Sequence, residues 1–206
     1  SSTSAKVASA VNNSANSQTV KSAITSITSN IIKTQTSNRT IPANATTAGV
    51  TSNVIIGKNN SILGFNNTLE GFLNNATGAQ LDVTGNENSI KGVNTTVVGS
   101  GNVQTKGKDN IIFGKSNSLE GSANTLVGAN NTVSGDANSL LGDSNAVKGS
   151  ENTAAGNQNN ILGNNNTAVG DTNLINGTSS FLIGHNNTVN GNNSNVKGNY
   201  NEISGN

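Results

Sequence analysis

The chain has 206 residues, a formal net charge of +1 and 31% hydrophobic residues, with no Cys, Met or Trp. So small a net charge excludes the basic field of a nucleic-acid binder and the polybasic patch of an anionic-membrane binder. No disulfide can form, no stretch approaches the roughly 20 apolar residues of a membrane span, and the low hydrophobicity leaves little material for an ordinary globular core.

Residues 1–50 are rich in Ala, Ser, Thr and Asn. Val20, Ile24, Ile27 and Ile31 recur at helical spacing, after a weaker series of Val7, Val11 and Ala15. The spacing predicts a helix over 19–33. Residues 34–51, with Pro42, are expected to be extended or irregular. A repeat array needs a cap over its first open layer, so 1–50 is read as a capping segment with a helix; a partner-binding helix is the other reading. No secretory leader stands at Ser1, which fits a mature secreted form or a cytosolic chain, and the expected setting is extracellular.

From residue 51 onward the chain repeats. Between 110 and 163 it reads NIIFGKS, NSLEGSA, NTLVGAN, NTVSGDA, NSLLGDS, NAVKGSE, NTAAGNQ, NNILG. Glycines fall seven apart from Gly57 to Gly99 and again from Gly107 to Gly205, with one step of eight between the two series. A fixed short period is the signature of a solenoid, and periodicity argues for order where composition alone would argue for disorder. The extra residue lies within 100–106 and is expected to form a bulge or a longer corner.

Within each seven, Asn-x-aliphatic-x-Gly alternates with period two, the pattern of a short strand. The aliphatic position (Ile112, Leu119, Leu126, Val133, Leu140, Val147, Ile161, Ile175, Leu182, Val189) is the inside. The Asn beside it is expected to stack along the array, and Gly to turn the corner with φ > 0. One seven is too short to close a coil, so two sevens make one. The expected fold is an all-β, parallel, two-sided β-roll of about ten 14-residue coils over 51–206, about 50 Å long at roughly 4.8 Å per rung.

The outward pairs differ on alternate sevens. On one side, face A, they read Thr96/Val98, Ile111/Phe113, Thr125/Val127, Ser139/Leu141, Thr153/Ala155, Thr167/Val169 and Phe181/Ile183, with no charge. On the other, face B, they include Ser118/Glu120, Thr132/Ser134, Ala146/Lys148, Asn160/Leu162, Leu174/Asn176, Thr188/Asn190 and Glu202/Ser204. An uncharged strip facing solvent is an interaction surface.

The repeat x-x-Asn-x-Val-x-Gly, as in NNTVSGD at 130–136 and NNTVNGN at 186–192, resembles that of the grass ice-recrystallisation-inhibition and antifreeze proteins. The resemblance covers residues 53–206. It implies a left-handed β-roll with a flat face of outward Thr, Ser and Val that binds ice. On face A the implied ice-binding residues are Thr96, Val98, Thr125, Val127, Ser139, Leu141, Thr153, Ala155, Thr167 and Val169. Ile111, Phe113, Phe181 and Ile183 are bulkier than that family's face residues. A weaker resemblance is to trimeric autotransporter adhesin heads, also 14-residue-coil β-rolls, whose Asn-to-Gly spacing is one residue longer. It implies a homo-oligomer or adhesive module joined through face A.

Other motifs have simpler readings. The sequons Asn59-Asn60-Ser61, Asn66-Asn67-Thr68, Asn130-Asn131-Thr132, Asn165-Asn166-Thr167 and Asn186-Asn187-Thr188 follow from an Asn-rich repeat. Asp136, Asp143 and Asp171 are similar to calcium-binding β-roll corners, but those require Asp in every repeat. His185 stands at a corner, and no nucleophile–base pair or phosphate loop is present. The expectation is a non-enzymatic protein without cofactor or metal, whose partner is an ice crystal surface rather than nucleic acid or membrane.

Overall fold

The computed structural model describes residues 53–205. The expected cap over 1–50, with its helix at 19–33, lies outside the described residues.

The described chain winds as a parallel solenoid of two sheets, each with eleven strands. Successive strands alternate between them. Sheet A begins with Val54–Lys58 and ends with Asn195–Lys197; sheet B begins with Ser61–Phe65 and ends with Glu202–Ser204. Every strand is parallel to the strand of its sheet in the next coil, almost everywhere in a fourteen-residue register: Thr125 lies beside Ser139, and Leu126 beside Leu140. All backbone hydrogen bonding between the described coils therefore runs along the array, and among the described residues only the terminal coils have a strand edge with no described neighbour.

The alternation of each seven decides which side chains meet. The central residue of each strand points between the sheets, and Leu126, Val133, Leu140, Val147, Ala154 and Ile161 form part of one continuous buried column. Small and large residues oppose each other there. Where sheet A supplies Ala154 and Ala168, the flanking sheet B strands supply Val147, Ile161 and Ile175, which keeps the narrow interior filled. One aliphatic side chain per strand is a thin core, and the asparagines add a second source of cohesion.

The asparagine that opens each seven is buried at the corner. Along the corner that leads into sheet B the ladder is unbroken from Asn60 to Asn201. A typical member, Asn131, donates its side-chain amide to Asn117 Oδ1 at 3.1 Å and to the carbonyl of Gly142 at 2.8 Å. Its own Oδ1 accepts from Asn145 in the next coil. Each asparagine thus joins three successive coils and satisfies corner groups that no strand pairs with. The opposite ladder is interrupted by Leu81, Thr95, Ser180 and Ser194.

The glycine that closes each seven is needed for space as well as for φ. Gly128 has φ 133°, and a Cβ placed on it would overlap the carbonyl oxygen of Gly142 in the next coil. A second left-handed residue accompanies it. Two positions after glycine the backbone takes φ near 57°, at Asn130 (58°), Ala137 (58°), Glu151 (60°), Thr172 (59°) and Tyr200 (58°). In sequons such as Asn130-Asn131-Thr132 the two asparagines have separate structural duties: the first tolerates the left-handed turn, and the second enters the ladder.

The extra residue is Thr105. Leu119 pairs with Gln104 and Glu120 with Lys106, so the register shifts across Thr105 in the strand Val103–Lys106. This is a β-bulge inside the stretch where one was expected. Gln104, directly before the bulge, keeps the ordinary register with Ile90 and so occupies the aliphatic column, where it is 1% exposed.

Candidate functional site

The outward side of sheet A is built by the register. Thr125, Ser139, Thr153 and Thr167 fall into one ladder, and Val127, Leu141, Ala155 and Val169 into a second, parallel ladder. Residues of one ladder are about 4.8 Å apart, and the two ladders are separated by two residues of extended strand, about 7 Å. Thr96 and Val98 stand on the same face, separated from Thr125 and Val127 by the Ile111/Phe113 rung. All ten residues singled out in the sequence therefore share one surface, and the last eight occupy consecutive rungs. The face continues through Phe181 and Ile183 and ends at Asn195 and Lys197.

None of the outward pairs of sheet A between Thr96 and Ile183 is charged; Lys115, at the end of the strand Ile111–Lys115, is exposed beside them. Before them stand Glu70 and Asp82, and after them Lys197. Sheet B is different in kind. Its outward side carries Lys91, Lys106, Glu120 and Lys148. Lys106 Nζ lies 2.6 Å from Glu120 Oε1, with both side chains largely in solvent. The Glu120 carboxylate, by hydrogen bond and by charge, holds the Lys106 ammonium above its ordinary pKa.

Burial adds something that the sequence did not indicate. The strip was expected to face solvent. Its outer rungs are half-buried, and Leu141 (3%), Thr153 (0%), Ala155 (4%), Thr167 (2%) and Val169 (7%) are buried. Leu141, Ala155 and Val169 form a hydrophobic cluster, with Val127 and Ile183 packed against it, separate from the core between the sheets. Phe113 is buried as well.

The corner aspartates have a structural task. Asp136 Oδ1 accepts the backbone N–H of Ser122 at 2.7 Å, Asp143 Oδ1 that of Ala129 at 2.6 Å, and Asp171 Oδ1 that of Asn157 at 2.7 Å. At other corners Ser150, Asn164, Asn192 and Asn199 supply the same acceptor, and His185 does so through Nδ1 to the N–H of Asp171. From Asp136 to Asn199 the position after glycine carries polar side chains, most of which accept a backbone N–H of the preceding coil. Among the described residues no group of three or more His, Cys, Asp or Glu could hold a metal ion.

The model of the grass antifreeze beta roll matches residues 92–177 and again 126–206, more than half of the chain between them. The chain belongs to the grass antifreeze beta-roll family. That family is an ice-binding one, structural rather than enzymatic. No curated protein matches the chain. The grass antifreeze beta roll is here a rigid two-sheet scaffold. Its asparagine and glycine ladders fix the backbone and leave the outward pairs to differ between the faces.

Proposed function

We propose that this protein adsorbs to ice through the outward side of sheet A, with Thr125, Val127, Ser139, Leu141, Thr153, Ala155, Thr167 and Val169 as its centre and Thr96 and Val98 at its border. The observation that carries the reading is the pair of in-register, uncharged ladders on a family scaffold that binds ice. Ice is a lattice, so a binder gains from many weak contacts at fixed intervals. Methyl groups of Thr, Val, Leu and Ala order adjacent water, and hydroxyls of Thr and Ser anchor that water to the protein. Holding both ladders in a rigid sheet meets the ordering cost before the crystal is encountered. Charged side chains hold their own hydration shells, which disfavours sheet B. The setting that such a role suits is extracellular fluid.

Thermal hysteresis and inhibition of ice recrystallisation test the reading. Thr125→Tyr, which raises a bulky ring above the plane, should remove the activity, and Thr132→Tyr on sheet B should leave it intact. The opposite result would move the site to sheet B. A second reading, an adhesive or self-assembling module, is favoured by Phe113 and by the apolar cluster around Leu141, since aromatic and aliphatic side chains suit protein contacts. A trimer in solution with this face enclosed would support it over ice.

A further inference from the structure

At every corner between Asn59 and Tyr200 the residue before the ladder position has a left-handed backbone. Seven of these residues are asparagine, and after six of them (Asn59, Asn66, Asn94, Asn130, Asn165 and Asn186) the residue two places on is Ser or Thr. Asn193, with Asn195 two places on, is the seventh. At the fourteen corners with another residue, only Ser89, Ser118, Thr125, Ser139 and Thr153 are hydroxylic at that place. The composition of the repeat accounts for asparagine at the corner but not for this pairing. Local structure does not account for it either, because at none of the six does the corner amide bond the hydroxyl. Among the described residues, the amide of Asn94 donates to Asp109 Oδ1 at 2.6 Å, and the other five side chains make no hydrogen bond.

We propose that these six corners are N-glycosylation sites. Asn-x-Ser/Thr is the acceptor motif for an N-linked oligosaccharide. In the transfer, Nδ2 of the asparagine bonds to the anomeric carbon of the sugar and loses a proton. The bond from that carbon to the diphosphate of a lipid-linked oligosaccharide breaks, and the lipid diphosphate leaves with the electron pair. The donor is met along a secretory route, before the chain coils, so the finished fold must accommodate the product.

The register provides for that. Two places after each ladder asparagine stands the inward residue of the strand, which is nowhere Ser or Thr, so no buried asparagine of the ladders can be an acceptor. All six corner asparagines are exposed. The backbone that would carry the sugar is held by its neighbours, as where Asn130 N–H donates to the Lys115 carbonyl at 3.0 Å. Asn66, Asn94 and Asn165 lead into sheet A, and Asn59, Asn130 and Asn186 into sheet B. Sugars would therefore line both edges of the roll, beside the two faces. A formal net charge of +1 gives copies of the chain little electrostatic repulsion, and hydrated glycans along the edges supply another means of staying dispersed. The proposal shares the extracellular setting of the ice-binding reading but not its choice of face.

Protein purified from its native source tests this. Peptide N-glycosidase in water enriched in heavy oxygen turns each glycan-bearing asparagine into labelled aspartate, and peptide mass spectrometry locates the label. It is expected at the corner asparagines, Asn130 and Asn165 among them. It is not expected at Asn193, which shares the corner but lacks the hydroxyl, or at Asn131 in the ladder. A sample with none of the six labelled would overturn the proposal. So would equal label at Asn193, which marks deamidation instead of a glycan. Substitution separates the motif from the corner. In the full-length chain secreted by eukaryotic cells, Thr132→Ala should remove the glycan from Asn130 and Thr132→Ser should keep it, with far-UV circular dichroism unchanged in both. A glycan on Asn130 that survives Thr132→Ala would overturn the assignment, because the pairing with the hydroxyl would not be what selects the site.

Discussion

Asn145 donates both its backbone N–H and its side-chain amide to one atom, Oδ1 of Asn131, at 3.0 and 3.1 Å. The arrangement recurs fourteen residues away in each direction: Asn131 approaches Asn117, and Asn159 approaches Asn145, in the same way. Asn131→Ala would remove one side chain but leave unmet the N–H of Asn145, one N–H of its side-chain amide (the other keeps the Gly156 carbonyl) and the side-chain bond to the Gly142 carbonyl. Each buried orphan costs about 1–3 kcal/mol, so the loss should exceed that of an ordinary core truncation and lower the thermal midpoint by many degrees. Asn131→Asp sharpens the test. Its carboxylate would face two acceptors, Asn117 Oδ1 and the Gly142 carbonyl, which favours the protonated acid. The folded pKa would be raised above its unfolded value, so the variant should be most destabilised at neutral pH and recover as pH falls. Circular dichroism melts at pH 7 and pH 4 decide it.

Glycine and the residue two places after it share the corner but respond oppositely to substitution. Gly128→Ala is expected to be severe, because the new methyl would meet the backbone of the next coil, which cannot retreat without breaking its own ladder. A loss of about 3 kcal/mol, the upper end for overpacking against fixed atoms, is expected. Urea unfolding of the purified variant measures it, and a loss below about 1 kcal/mol would show that the coils can spread.

Thr172 should respond in the other direction. It is β-branched and sits at φ 59°, a region that L-residues enter at a cost of about 1–2 kcal/mol and Asn tolerates best. Its hydroxyl makes only one long contact, 3.4 Å to Gln158 Oε1. Thr172→Asn is therefore expected to stabilise the protein by about 1 kcal/mol, read as a rise in thermal midpoint.

Much of this was legible because the period is short and strict. Asn-x-aliphatic-x-Gly announced the strand, the two-seven coil and the core position of residues such as Leu126 and Val133. The step of eight between glycines located the bulge. Two things were not legible, for different reasons. The left-handed position is often Asn, as at Asn59, Asn130 and Asn186, but it also takes Ala137, Glu151 and Thr172, because its backbone is held by the neighbouring coils, as where Ala137 N–H donates to Ser122 O. The side chain can therefore vary, and where it is not Asn the conformation leaves no mark. The burial of Thr153 and Ala155 was hidden because an uncharged outward pair has the same sequence whether it faces water, ice or a covering segment. The ten face A residues could be assigned to one surface from the register alone, but not the state of that surface.

The bulge supplies the last prediction. Gln104 occupies an inward position that is aliphatic in most other strands, and the breach of that rule coincides with the extra residue. Its Nε2 reaches the Lys91 carbonyl and Thr95 Oγ1 at 3.3 Å and the Gly107 carbonyl at 3.5 Å, while its Oε1 is buried with no partner. Long bonds contribute little, and an unpaired amide oxygen in a dry column costs about 1–3 kcal/mol. Gln104→Leu would remove the orphan and restore the aliphatic column between Ile90 and Leu119. The expected result is a gain of about 1 kcal/mol, seen as a higher urea midpoint with an unchanged slope. A lower midpoint would mean that the three weak bonds from Nε2 are what hold Thr105 out of register, and that the bulge depends on glutamine.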